Sequence, residues 1–102
     1  MSSIISILRR IEEKPLLYLG KKDIGRLRFF ITGYLICEED NNQSESTEIF
    51  ESFKKYFDTI YGIRSYYDYA SVLRQQFNSE EEAFDKFFEL FNQFLFQKEI
   101  KL

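Results

Sequence analysis

Any chemistry in this chain of 102 residues would have to come from its carboxylates or its one thiol, because the sequence contains no His. That absence excludes Ser-His-Asp and Cys-His nucleophiles, His-ligated zinc and imidazole acid/base catalysis. Glu80, Glu81 and Glu82 are three adjacent acids. However, Ser79-Glu80-Glu81-Glu82 has the form of a capping box ahead of an apolar run, and acids in a first helical turn are favoured by the dipole. Nothing in the spacing pairs them with a second carboxylate, as glycoside hydrolysis requires. Cys37 closes an apolar helical pattern and lacks an imidazole activator, so it reads as a small buried hydrophobe. A single Cys also makes neither an internal disulfide nor a thiolate zinc site. Gly20, Gly25, Gly33 and Gly62 are scattered, so no phosphate-cradling loop is present. The sequence points away from an enzyme, with no catalytic residue, cofactor or metal.

Charge placement says more. Residues 1–28 hold seven bases and three acids, a balance of +4, whereas residues 29–51 hold six acids and no base. The rest of the chain holds seven bases and eight acids, and the total is −3. The acidic block has two readings. One is a solvated linker with dipole-favoured acids in the following helix. The other is an anionic surface that steers a cationic partner. The basic segment (Arg9, Arg10, Lys21, Lys22, Arg26 and Arg28, with Tyr18 among them) could contact a nucleic-acid backbone. Long basic side chains snorkelling past a bundle edge explain it equally well.

The elements that must position these groups are helical, since five segments show a 3.6-residue apolar period and none alternates. Ile4, Ile7, Leu8 and Ile11 share a face that ends at Lys14-Pro15. Residues 15–20 are too apolar for a free loop, so Leu16, Leu17, Tyr18 and Leu19 are expected to pin a connector onto the core. Asp23 is placed to N-cap a second helix over about 24–37. That helix is apolar on more than one side, with Phe29 and Ile36 lying off the Ile24–Leu27–Ile31–Tyr34–Leu35 stripe. The pattern suits a central helix packed by neighbours on more than one side, and Gly25 and Gly33 would admit close approach. Residues 38–47 form a polar loop expected to be exposed and mobile.

Ser46 or Thr47 can cap a third helix, with Ile49, Phe50, Phe53, Tyr56, Phe57 and Ile60 on its stripe and Gly62 as its stop. A fourth helix over about 65–77 carries Tyr66, Tyr69, Ala70, Leu73 and Phe77 on one face. The fifth, from Ser79, carries Phe84, Phe87, Phe88, Phe91, Phe94 and Leu95. The expected fold is all-α, a single domain over 1–102, with about five helices around an aromatic-rich core. Most of the 12 Phe and 7 Tyr thereby belong to the core. Tyr67 and Phe96 fall off their stripes and are candidate anchors on a protein-binding surface, unless a terminus or the long loop covers them.

Two stretches also resemble a known family. They are Lys14-Pro-Leu-Leu-Tyr-Leu-Gly20 with Ile24-Gly-Arg-Leu-Arg-Phe-Phe-Ile-Thr-Gly-Tyr34, and Ser65-Tyr-Tyr67 with Glu81-Glu-Ala-Phe-Asp-Lys-Phe-Phe-Glu-Leu90 and Phe94-Leu95. Together they resemble small helical immunity proteins of bacterial polymorphic-toxin and contact-dependent growth-inhibition systems. Tyr66-Tyr67 stands where a Trp would be expected in relatives. The resemblance implies a protein that binds the toxin domain encoded beside it, often a nuclease such as an RNase, and covers its active site. The expected contacts are Glu38, Glu39, Asp40, Glu45 and Glu48, with Tyr67 and Phe96 as anchors. The expected stoichiometry is 1:1, with neither nucleic acid nor membrane bound directly. With no targeting signal or spanning stretch in the sequence, the expected location is the cytoplasm. The alternative is a helical adaptor or regulator that touches nucleic acid through its basic N-terminal face.

Overall fold

The structure, a computed structural model, describes residues 3–62 and 68–98. Its elements are α1 (Ile4–Glu13), α2 (Pro15–Leu19), α3 (Ile24–Asp40), α4 (Glu45–Tyr61), α5 (Tyr69–Gln76) and α6 (Glu80–Gln97). Among the described residues there is no strand, and no helix is long and apolar enough to cross a membrane. The all-α bundle matches the expectation, with six helices in place of about five.

The added helix is the apolar connector. Pro15 occupies the first position of α2, where its missing N–H costs nothing, and Gly20 closes it in the left-handed region at φ 83°. A helix of five residues turns its side chains around little more than one circle, so they cannot all face the core. Leu19 is buried, whereas Leu16 and Leu17 are 66% and 69% exposed. The expected pinning of Leu16, Leu17 and Tyr18 therefore does not occur.

The caps of α3 and α6 are where the sequence places them, whereas the N-cap of α4 is Ser44 and not Ser46 or Thr47. Asp23 Oδ1 accepts from the Arg26 N–H at 3.0 Å, and Ser79 Oγ accepts from the Glu82 N–H at 3.1 Å. Glu82 reaches back past the N-cap to accept from the N–H of Asn78, a close variant of the reciprocal capping box. Asp68 caps α5, its carboxylate accepting from the Ser71 N–H at 2.9 Å, so the described part of that helix starts later than the expected boundary. Gly62 ends α4 at φ 63°.

Phe53 is the hub of the core. Its ring meets Phe87, Phe91 and Phe94 edge-on at centroid distances of 5.4, 5.2 and 5.7 Å. These are the arrangements that ring quadrupoles favour. All six expected positions of α6 are buried, joined by Ala83 and Leu90. On α4, Phe50, Phe53 and Phe57 are buried, but Ile60 at the end of the stripe is 44% exposed.

The helix expected to have neighbours on more than one side is α3, and the Phe29 and Ile36 face of it is left without one among the described residues. It packs against α1, α4, α5 and α6, all on the side of Ile24, Leu27 and Ile31. Its other apolar side is bare, with Phe29 67% and Ile36 53% exposed. Gly25 does serve a close approach, since a Cβ there would collide with the Arg74 guanidinium. Gly33 does not, because no atom lies within 4 Å of where its Cβ would stand. Cys37, expected to be buried, is exposed on the same helix.

Candidate functional site

Residues 38–47 are not one loop. Glu38, Glu39 and Asp40 form the last turn of α3, residues 41–44 make the connection, and Glu45, Ser46 and Thr47 open α4. The connection is only four residues long, so it folds the two helix ends into one corner. That corner holds all five acids expected to meet a partner: Glu38, Glu39, Asp40, Glu45 and Glu48. Glu38 is half-buried and the other four are exposed.

Serine and threonine hydroxyls organise the corner. Ser46 Oγ donates to Glu38 Oε2 at 3.0 Å, Thr47 Oγ1 to Glu39 Oε2 at 3.2 Å and Ser44 Oγ to Glu48 Oε2 at 3.2 Å. Ser46 is the only buried polar residue among those described, and it is not a helix cap. Ser44 takes the N-cap position, without a side-chain bond to the backbone. Ser46 instead accepts the N–H of Ile4, which ties the corner to the start of α1.

None of the five acids forms an ion pair among the described residues. Two of them, Glu45 and Glu48, lie near the N-terminus of α4, where the helix dipole favours negative charge. The other three lie at the C-terminus of α3, where the dipole is negative and disfavours them, and no base stands in that turn. Helix electrostatics therefore accounts for the α4 acids, whereas at the end of α3 hydroxyl hydrogen bonds hold Glu38 and Glu39 and only Asp40 has no side-chain partner among the described residues.

The expected anchors are not in this corner. Phe96 is 85% exposed, beside Tyr56, Asn92 and Gln93. Tyr56 follows Glu45 by eleven residues, about 16 Å along α4 at the helical rise. Tyr67 lies outside the described residues. The exposed large hydrophobic closest to the acids in sequence is Ile36, which the periodicity places off the core stripe of α3. Ile36 stands one turn before Asp40 on the bare face of α3, and Phe29 lies two turns further back. The clue in the sequence was the second apolar face of α3, which a chain this short does not have enough helices to cover.

The basic segment is largely engaged within the protein. Lys22 pairs with Asp85 at 2.8 Å, and this hydrogen bond raises its pKa against a smaller opposing effect of burial. Arg26 Nη1 donates to the Leu19 carbonyl at 2.7 Å, Lys21 lies 3.7 Å from Asp23, and Arg28 lies 4.0 Å from Asp68. Arg9, Arg10 and Lys14 remain without an ion pair among the described residues. A groove of about 400 Å³ between α3, α4 and α5 mixes Arg28, Lys54 and Lys55 with Glu51, Asp58 and Asp68. Its charges cancel and select no ligand class. Among the described residues no cluster of three or more Cys, Asp and Glu is placed to hold a metal ion.

No family model matches the chain, and no curated protein or solved structure is similar to it.

Proposed function

We propose that this chain is an immunity protein, which neutralises a toxin domain by binding it and carries out no reaction of its own. The observation that supports this reading is the corner of five carboxylates with no ion pair among the described residues, three of them at the dipole-negative end of α3. An uncompensated anionic corner on a small rigid bundle is suited to a cationic partner, and nuclease active sites are cationic because they hold phosphates. Binding there would cover the partner's active site and block its substrate, an RNA or DNA chain. Specificity would come from apolar contacts flanking the acids, with the electrostatics setting the association rate.

Co-expression with the neighbouring toxin gene tests the proposal. Cells should survive only when this chain is present, and the two proteins should elute together on gel filtration. Equal killing with and without it, together with no complex, would sink the idea. Reversing Glu39, Glu45 and Glu48 to Lys should slow association by about tenfold or more and flatten its salt dependence. Glu38 is left intact in that variant because it holds buried Ser46.

A further inference from the structure

The bare face of α3 has an order that the core of one chain leaves in solvent, although the Arg26 guanidinium keeps its bond to the Leu19 carbonyl and that of Arg28 lies over the Phe29 ring. Arg26, Phe29, Gly33, Ile36 and Asp40 are all exposed. They are separated by three, four, three and four residues, the a/d spacing of a coiled-coil seam. The central residue is a glycine in an exposed helix interior, where it costs about 1 kcal/mol relative to Ala. Its φ is not positive, and no neighbour approaches the position of a Cβ. Nothing within the protomer calls for a glycine there.

The seam is self-complementary about that glycine. When two copies of α3 cross antiparallel at Gly33, residues equally far before and after it face each other. Arg26 of one copy then faces Asp40 of the other, and the twofold axis repeats this pair at the far end. Between the charges, each Phe29 packs against Ile36 and Cys37 of the second copy. Parallel pairing would set Arg26 on Arg26 and Asp40 on Asp40, so charge selects the antiparallel form. With no side chain at the crossing, the helix axes can approach to about 8 Å, the close end of the usual range.

We infer that α3 is the seam of an antiparallel homodimer that crosses at Gly33 and is closed at each end by an Arg26–Asp40 pair. The occupant of the apolar face is thus a second copy of this chain. One helix pair covers less than the roughly 1,200 Å² of a standard stable interface, so the dimer is weak and concentration-dependent. The seam shares Asp40 and Ile36 with the corner of the proposed function but does not rest on that reading, because its test is the mass of the isolated chain.

Sedimentation equilibrium on the full chain, from about 5 to 500 μM to bracket a weak interface, tests it directly. The weight-average mass should climb from 12.4 kDa towards twice that value. Phe29→Glu and Ile36→Glu alter exposed side chains and should keep the chain monomeric with its helical circular dichroism unchanged. Asp40→Arg should raise the dissociation constant by about tenfold or more, because it creates two like-charge contacts. Combining it with Arg26→Asp restores both pairs in reverse and should bring the constant back to within about threefold of the parent, as coupled sites do. A mass that stays at 12.4 kDa throughout, or a charge-swapped double variant as weak as Asp40→Arg alone, overturns the dimer.

Discussion

Ser46, wholly removed from solvent, accepts a hydrogen bond from the backbone N–H of Ile4 at 2.9 Å across 42 residues of sequence. The same hydroxyl donates to Glu38, so one buried oxygen joins α1, α3 and α4. Removing it leaves a buried amide and a half-buried carboxylate short of a partner. Ser46→Ala should therefore cost about 1–3 kcal/mol. Urea denaturation checks this, and a loss below about 0.5 kcal/mol would show that water replaces the hydroxyl.

The acids at the end of α3 lower stability by the dipole argument. Glu39→Gln with Asp40→Asn should stabilise the isolated chain by about 0.3–1 kcal/mol per charge removed, and most at low ionic strength. Under the proposed function the same double variant should bind its partner more slowly. A stability gain coupled to a binding loss is the pattern expected of charges kept for recognition.

Phe53 and Phe96 set the two ends of the aromatic scale. Phe53 is fully buried at the hub of the ring cluster, so Phe53→Ala should cost about 3–5 kcal/mol, a large part of what a domain of this size has. Phe96→Ala should change stability by less than about 0.5 kcal/mol, because its ring is exposed. Thermal unfolding of both variants measures the contrast.

Gly25 and Gly33, about 80° apart around α3, should respond differently to the same substitution. At concentrations where the chain is monomeric, Gly33→Ala fills open space in a helix interior and should stabilise by about 0.5–1 kcal/mol. Gly25→Ala pushes into the Arg74 guanidinium, which must leave its 2.9 Å pair with Glu80. It should show no such gain in the same denaturation experiment.

Stability should fall at both ends of the pH scale. Burial raises the pKa of Asp23, but bonds from the Arg26 and Gly25 N–H groups outweigh this and hold it below 3.8. Its contribution is full above the unfolded value and is lost as pH drops through the lower, folded one. Asp23→Asn keeps a capping oxygen without the titration and should flatten the acid limb. Burial raises the pKa of Tyr69 well above 10.0, so the unfolded chain ionises first and stability declines as pH rises beyond that value. Tyr69→Phe should flatten the alkaline limb. Chemical denaturation across pH reads both slopes.

The sequence by itself determined what lies within about one helical turn. The caps at Asp23 and Ser79, the stop at Gly62, and the buried stripe of α6 follow from backbone geometry and the 3.6-residue period. The same period also names the two apolar faces of α3 without saying which one is covered. Angles around a helix depend on the sequence, whereas the number of neighbours depends on how the other helices stack. Those neighbours all lie on the Ile31 side, leaving Phe29, Ile36 and Cys37 in solvent. Tertiary packing placed Ser46 in the core, through a bond to the Ile4 N–H across 42 residues of sequence that no local pattern encodes. The acidic corner and the outward turn of Leu16 and Leu17 have local causes, a four-residue connection and a five-residue helix, that hydrophobic periodicity alone does not show.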